Sequence, residues 1–295
     1  MNSSSLCFNG QIVVKQSLIF AAEISSTRRR NTLRRVDREL FKGNHRAALS
    51  LVKSCGLRGF GAAKQIKSFN DLNMERSDIL SLQLRLDLIL DSIKKSFRFT
   101  SSGELSLLEL ESLIHRDSGN YLLNDHLKCM QHEAGHFLVG YLLGVLPKGY
   151  RVPSMYDLNQ DELAGGRVDF LGLEFLEEVD SDGKSNYKPI KEKLFDETVC
   201  RILSVIIGGL VAEHVVFGRS AGLHSDVKKM YNTLKRWDFK EDEAESQIKR
   251  AALNTLLILD HQYEARSRLA EAMALGRSVG NCIDTIESAL KDPFI

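Results

Sequence analysis

Apolar positions in residues 72–97 (LNMERSDILSLQLRLDLILDSIKKSF) recur at helical spacing with no glycine or proline among them. They predict one long helix with a broad apolar face, with Ser77 placed to cap its start. Before it, the pattern over 36–61 predicts two short helices, separated and ended by glycine. After it, GELSLLELESLIHRD (103–117) predicts another short one. Residues 126–146 form an apolar helical run ending near Pro147. The grammar then changes: GGRVDFLGLEFLEEV (165–179) alternates and carries Val, Phe and Leu, as a strand does, and SDGK (181–184) reads as a turn. Helical periodicity returns over 192–217, interrupted at Gly208-Gly209, and continues through 225–237, 243–274 and 279–290. Trp237 and Phe239 are placed to close a helix onto the core. The expected fold is mainly α. A helical amino-terminal region (37–120) precedes a helical domain (121–295) with a small inserted β-sheet.

Composition fits this picture and removes several alternatives. With 295 residues, 43% of them hydrophobic and 27% charged, the chain can build a real core. The near balance of 40 basic and 39 acidic side chains gives no overall pull toward nucleic acid. The five cysteines (Cys7, Cys55, Cys129, Cys200, Cys282) are scattered and odd in number, which disfavours a disulfide framework. No apolar run reaches the ~18 residues of a membrane-spanning helix, so no transmembrane segment is expected. The charge is uneven, however. Residues 1–36 hold Lys15, Arg28, Arg29, Arg30, Arg34 and Arg35 against Glu23 alone, among many serines. That is the composition of a disordered organelle transit peptide, for the chloroplast ahead of the mitochondrion. A plain basic tail and a nuclear or nucleic-acid patch share it.

Candidate chemistry is concentrated at residues 132–136, which read HEAGH. On a helix, positions i and i+4 share one face, so His132 and His136 can aim ring nitrogens at one metal ion. Glu133 then points beside the ion, where it can serve as a general base. Ala134 and Gly135 leave room for another element to pack behind. A catalytic zinc takes three protein ligands and one open position, so two histidines are not enough. The metzincin continuation fails, because its third histidine would fall at Leu142. Glu213, His214, His224 and Asp226 remain as candidates, and Cys129, one turn before His132, is a further neighbour.

Residues 208–226, GGLVAEHVVFGRSAGLHSD, are similar to a segment of the FtsH zinc metalloproteases, and the run AALNTLLILDHQYEARSRLAEAMALGRSVGNCIDTIESAL resembles that family's tail. The resemblance spans about residues 126–290. It implies a helical zinc-peptidase domain in which Asp226, spaced from Gly222 as in the family, is the third ligand to Zn2+ in preference to His224. Glu213 reads either as a partner that orients a ligand histidine or as an ordinary helix charge. Leu210 replaces a family arginine, residues 147–190 match poorly, and no GxxxxGK[ST] phosphate loop of the family's ATPase occurs; GLRGFGAAK (56–64) lacks its spacing. The implied activity is a zinc metalloendopeptidase without its own ATPase, cleaving unfolded or flexible polypeptides. The strand near 165–175 would align the substrate by strand addition. The alternative is a non-proteolytic partner of FtsH-type protease complexes.

Overall fold

The computed structural model describes residues 26–72, 74–102, 120–160, 165–173, 194–220 and 224–291. The chain divides into two compact units, one ending at Leu57 and the other starting at Arg58.

In the first unit, α1 covers 26–41 and α2 covers His45–Ser54. Gly43 and Gly56, the two glycines expected to separate and end these helices, adopt φ of 74° and 68°, which side chains with a Cβ resist. Residues 26–36, expected within a disordered leader, are helical instead. No glycine or proline interrupts 26–41, and Leu33 and Val36, one turn apart, are both buried. Residues 1–25 of that leader lie outside the described residues.

The second unit begins with an extended stretch and α3, Arg76–Ser102. The Glu75 carbonyl accepts the N–H groups of Asp78 and Ile79, so Ser77 lies inside the first turn and is not its cap. Leu82, Leu86, Ile89 and Ile93 form the buried face of α3. The expected short helix at 103–117 is outside the described residues. Next come α4 (Asn120–Leu142), β1 (Pro147–Arg151), α5 (Met155–Gln160) and β2 (Arg167–Phe170). They are followed by α6 (Leu194–Ile206), α7 (Gly208–Phe217), α8 (His224–Arg236), α9 (Glu241–His261), α10 (Tyr263–Ala274) and α11 (Val279–Ala289).

The architecture is mainly helical with one small sheet, as the pattern predicts. Its division is not the predicted one at 120/121. α3 packs against α8 and α9, so it shares a core with helices from beyond residue 120. The sheet is two antiparallel strands, with Tyr150 opposite Val168 and Arg151 opposite Arg167. β1 was not legible, because its proline and glycine mask strand character. β2 is shorter than the run 165–179 suggested; residues 174–193, with the expected turn at 181–184, lie outside the described residues.

α4 is the central helix. Ala134, Phe137, Leu138, Val139, Tyr141 and Leu142 are fully buried, and over that stretch His136 alone is partly exposed. α7 and α10 pack against it. The predicted helix at 243–274 is two helices broken at Gln262, whose buried amide exchanges two hydrogen bonds with the backbone of Lys291. Glu287 works similarly, accepting the N–H groups of Arg58 and Gly59 and the Tyr141 hydroxyl. Such buried groups are costly without partners. They fasten both ends of this unit to the central helices. Among the described residues no single helix is long and apolar enough to cross a membrane.

Candidate metal centre

The site forms where α4 and α7 cross. A Cβ on Gly135 would run into the Gly208 carbonyl and come within 2.6 Å of the Ala212 Cβ. A Cβ on Gly208 would lie 3.1 Å from the Gly135 carbonyl and from the His136 Cα. The two backbones approach this closely only because both residues are glycine. Gly209 has a second duty: a Cβ there would overlap the imidazole of His132. The chain bends by 53° between α6 and α7. Ending α6 at Ile206 releases the carbonyl of Val205 from the helical ladder, as at any helix terminus.

That carbonyl has a function. His136 Nδ1 donates to it at 2.7 Å. A carbonyl only accepts, so the proton sits on Nδ1 and Nε2 carries a lone pair. His132 Nδ1 donates to Glu213 Oε1 at 3.1 Å, which turns its Nε2 toward the same point as that of His136. The two Nε2 atoms are 2.9 Å apart, on rings inclined at 81°. Asp226 Oδ2, from the first turn of α8, completes the triangle at 3.2 Å from His132 Nε2 and 3.1 Å from His136 Nε2. It is buried and accepts no hydrogen bond.

Three potential electron-pair donors, two ring nitrogens and a carboxylate oxygen, converge on one point. Tetrahedral zinc with bonds of ~2.0–2.1 Å would set its ligand atoms about 3.3 Å apart, close to the triangle seen here. Imidazole, imidazole and carboxylate are also a ligand set that zinc accepts. The residues fit a divalent ion, and His132, His136 and Asp226 are the ones that can hold it.

The electrostatics agree. Burial opposes a charge on His132, but the carboxylates of Asp226 and Glu213 outweigh it and hold its pKa well above the usual value. Burial likewise opposes the Asp226 carboxylate, and His136 and His132 more than offset this, holding it far below the usual range. The pocket therefore demands positive charge, which a proton or a metal ion can supply.

A pH dependence follows. A histidine pKa raised on folding stabilises the ion-free protein below about pH 6.5, and that stabilisation is lost as pH rises through the raised value. The depressed Asp226 contributes above about pH 4 and weakens only as pH falls toward its folded value. Zinc competes with the His132 proton. The zinc-induced rise in Tm is therefore expected to grow with pH above ~6.5, as measured by thermal unfolding with zinc and with chelator. A rise independent of pH would contradict this charge assignment.

Glu133 lies on the same helix face, 4% exposed, with Oε1 4.0 Å from His132 Nε2 and Oε2 buried without a partner. Burial raises its pKa, in the direction that suits a general base working near neutrality. Gly166, just before β2, presses on it, and a Cβ there would overlap the carboxylate. The sheet therefore begins directly beside the candidate base.

The remaining candidates divide cleanly. Glu213, 3% exposed, binds a ligand histidine on its outer nitrogen and does not join the triangle. Glu213→Gln is expected to weaken zinc binding by roughly 10- to 100-fold in competition with a chromogenic chelator. An unchanged affinity would remove Glu213 from this role. His214 is half-buried and outside the cluster. The side chain of His224 lies outside the described residues. Cys129 is outside the cluster, and burial pushes its thiol up to about 11. Sequence reasoning missed the Val205 carbonyl and the clearances at Gly166 and Gly209. A backbone carbonyl leaves no mark in a sequence, and Gly208-Gly209 registered only as a helix interruption.

Comparison of the chain with protein-family models, with curated proteins and with solved structures finds no match.

Proposed function

We propose that the protein is a zinc-dependent metalloendopeptidase that hydrolyses unfolded or flexible polypeptides without an ATPase of its own. The observation that carries this reading is the convergence of His132, His136 and Asp226 beside a buried Glu133 with one oxygen unpartnered. The motif resemblance to the FtsH metalloproteases supports it independently. When bound, zinc supplies a Lewis acid that polarises the scissile carbonyl and makes an attacking water more acidic. Glu133 takes the proton of that water and passes it to the amine nitrogen that departs. Glu213 and the Val205 carbonyl keep both imidazoles in the tautomer that faces the ion. Among the described residues no strand covers the second edge of β2, which gives an extended substrate a backbone ladder that starts beside Glu133.

The test is direct. The purified chain should carry zinc and cleave casein, lose cleavage on chelation, and regain it when zinc returns. Zinc without cleavage would favour a non-proteolytic subunit docking to FtsH-type complexes. We assign the protein to the chloroplast by the composition of residues 1–36; a fluorescent fusion of residues 1–50 found elsewhere would overturn that.

A further inference from the structure

We propose that α3 is the seam of an antiparallel homodimer, with Leu84 on the two-fold axis facing Leu84 of a second copy. While one face of α3 is sealed in the core, the opposite face presents Leu80, Leu84 and Leu88, each 60% exposed. At 100° per residue, a spacing of four keeps the three within one narrow stripe. Isolated exposed leucines are ordinary, but three in register on consecutive turns form a contact surface.

The pattern selects its occupant. The leucines are evenly spaced about Leu84, so reversing the helix around that residue superimposes the stripe on itself. Leu80 then meets Leu88 of the second copy at two equivalent places, as an isologous contact requires. The charges beside the stripe choose direction. A parallel pair would set Asp87, Asp91 and Lys95 each against its own copy, which is unfavourable. The antiparallel pair sets Asp87 and Asp91 opposite Ser81 and Ser77 of the second copy, with the exposed Arg76 one residue from Asp91. Asp91 and Lys95, now paired within the helix at 2.7 Å, are 59% and 66% exposed and free to adjust. A single helix pair buries less than the ~1,200 Å² of a standard interface, so association should be weak, with Kd on the order of 10 μM.

Sedimentation velocity of the full chain from 1 to 200 μM tests this. The expected result is a shift from one 33.2 kDa chain toward two as concentration rises. Leu84→Glu should raise Kd at least tenfold without changing Tm, because Leu84 touches solvent. Cysteine crosslinking, scored above the wild-type background, fixes the direction. Leu84→Cys should link to itself, and Leu80→Cys should link to Leu88→Cys in a mixture but not to itself. A chain that stays monomeric throughout would overturn the proposal. So would Leu80→Cys linking to itself as readily as to Leu88→Cys.

Discussion

Replacing Glu133 by Gln should lower kcat/KM for an unfolded protein substrate by about 10²–10⁴-fold while zinc content and Tm stay near those of the wild type. The separation of these effects is the point. Glu133 does not join the triangle of donors, and its Oε1 stands 4.0 Å from His132 Nε2, so a neutral amide of the same shape leaves the ligands in place. What the amide lacks is the ability to accept a proton. The native carboxylate is buried against Gly166 with one oxygen unpartnered, an arrangement that costs stability. The amide should therefore be neutral or slightly stabilising to the fold. Parallel assays of casein cleavage, zinc content and thermal unfolding check all three parts. Retained cleavage would remove the base from the mechanism, and lost zinc would mean that the glutamate serves the metal instead.

Gly135→Val should cost about 1–3 kcal/mol of stability, lowering Tm by several degrees, and should abolish zinc binding as well. A Cβ at 135 meets a backbone carbonyl and a buried Cβ, neither of which can rotate away. The helices α4 and α7 must then move apart. The same crossing holds His132 to Glu213, and α6, which leads into it, holds His136 to Val205. Small displacements there release the ring orientations that aim both Nε2 atoms inward. Thermal unfolding together with metal analysis reads both consequences. A variant that loses stability yet binds zinc normally would uncouple the helix crossing from the site.

These two residues also show what was legible beforehand. HEAGH announces two histidines and a carboxylate on one helical face, and Ala134 and Gly135 announce that something packs closely behind. Gly208-Gly209 announces a break in 192–217, which the structure places at Ile207. Those signals are local, and local signals survive in a linear pattern. Asp226 came through resemblance, since nothing in the 89 residues between His136 and Asp226 fixes their approach. Features set by distant partners were not legible. The break at Gln262 depends on Lys291, the helix at 26–36 was obscured by its leader-like charge, and β1 exists only because β2 pairs with it. The placement of α3 in the same core as α8 and α9 is likewise a tertiary outcome that its own periodicity, identical for any amphipathic helix, does not specify.

The central claim is that residues 132, 136 and 226 together hold one divalent ion, and metal analysis of the purified full chain tests it most directly. The account predicts about one zinc per chain in the wild type, and little or none after His132→Ala, His136→Ala or Asp226→Ala. A wild-type chain that takes up no zinc, or an Asp226→Ala variant that retains it in full, would contradict the claim.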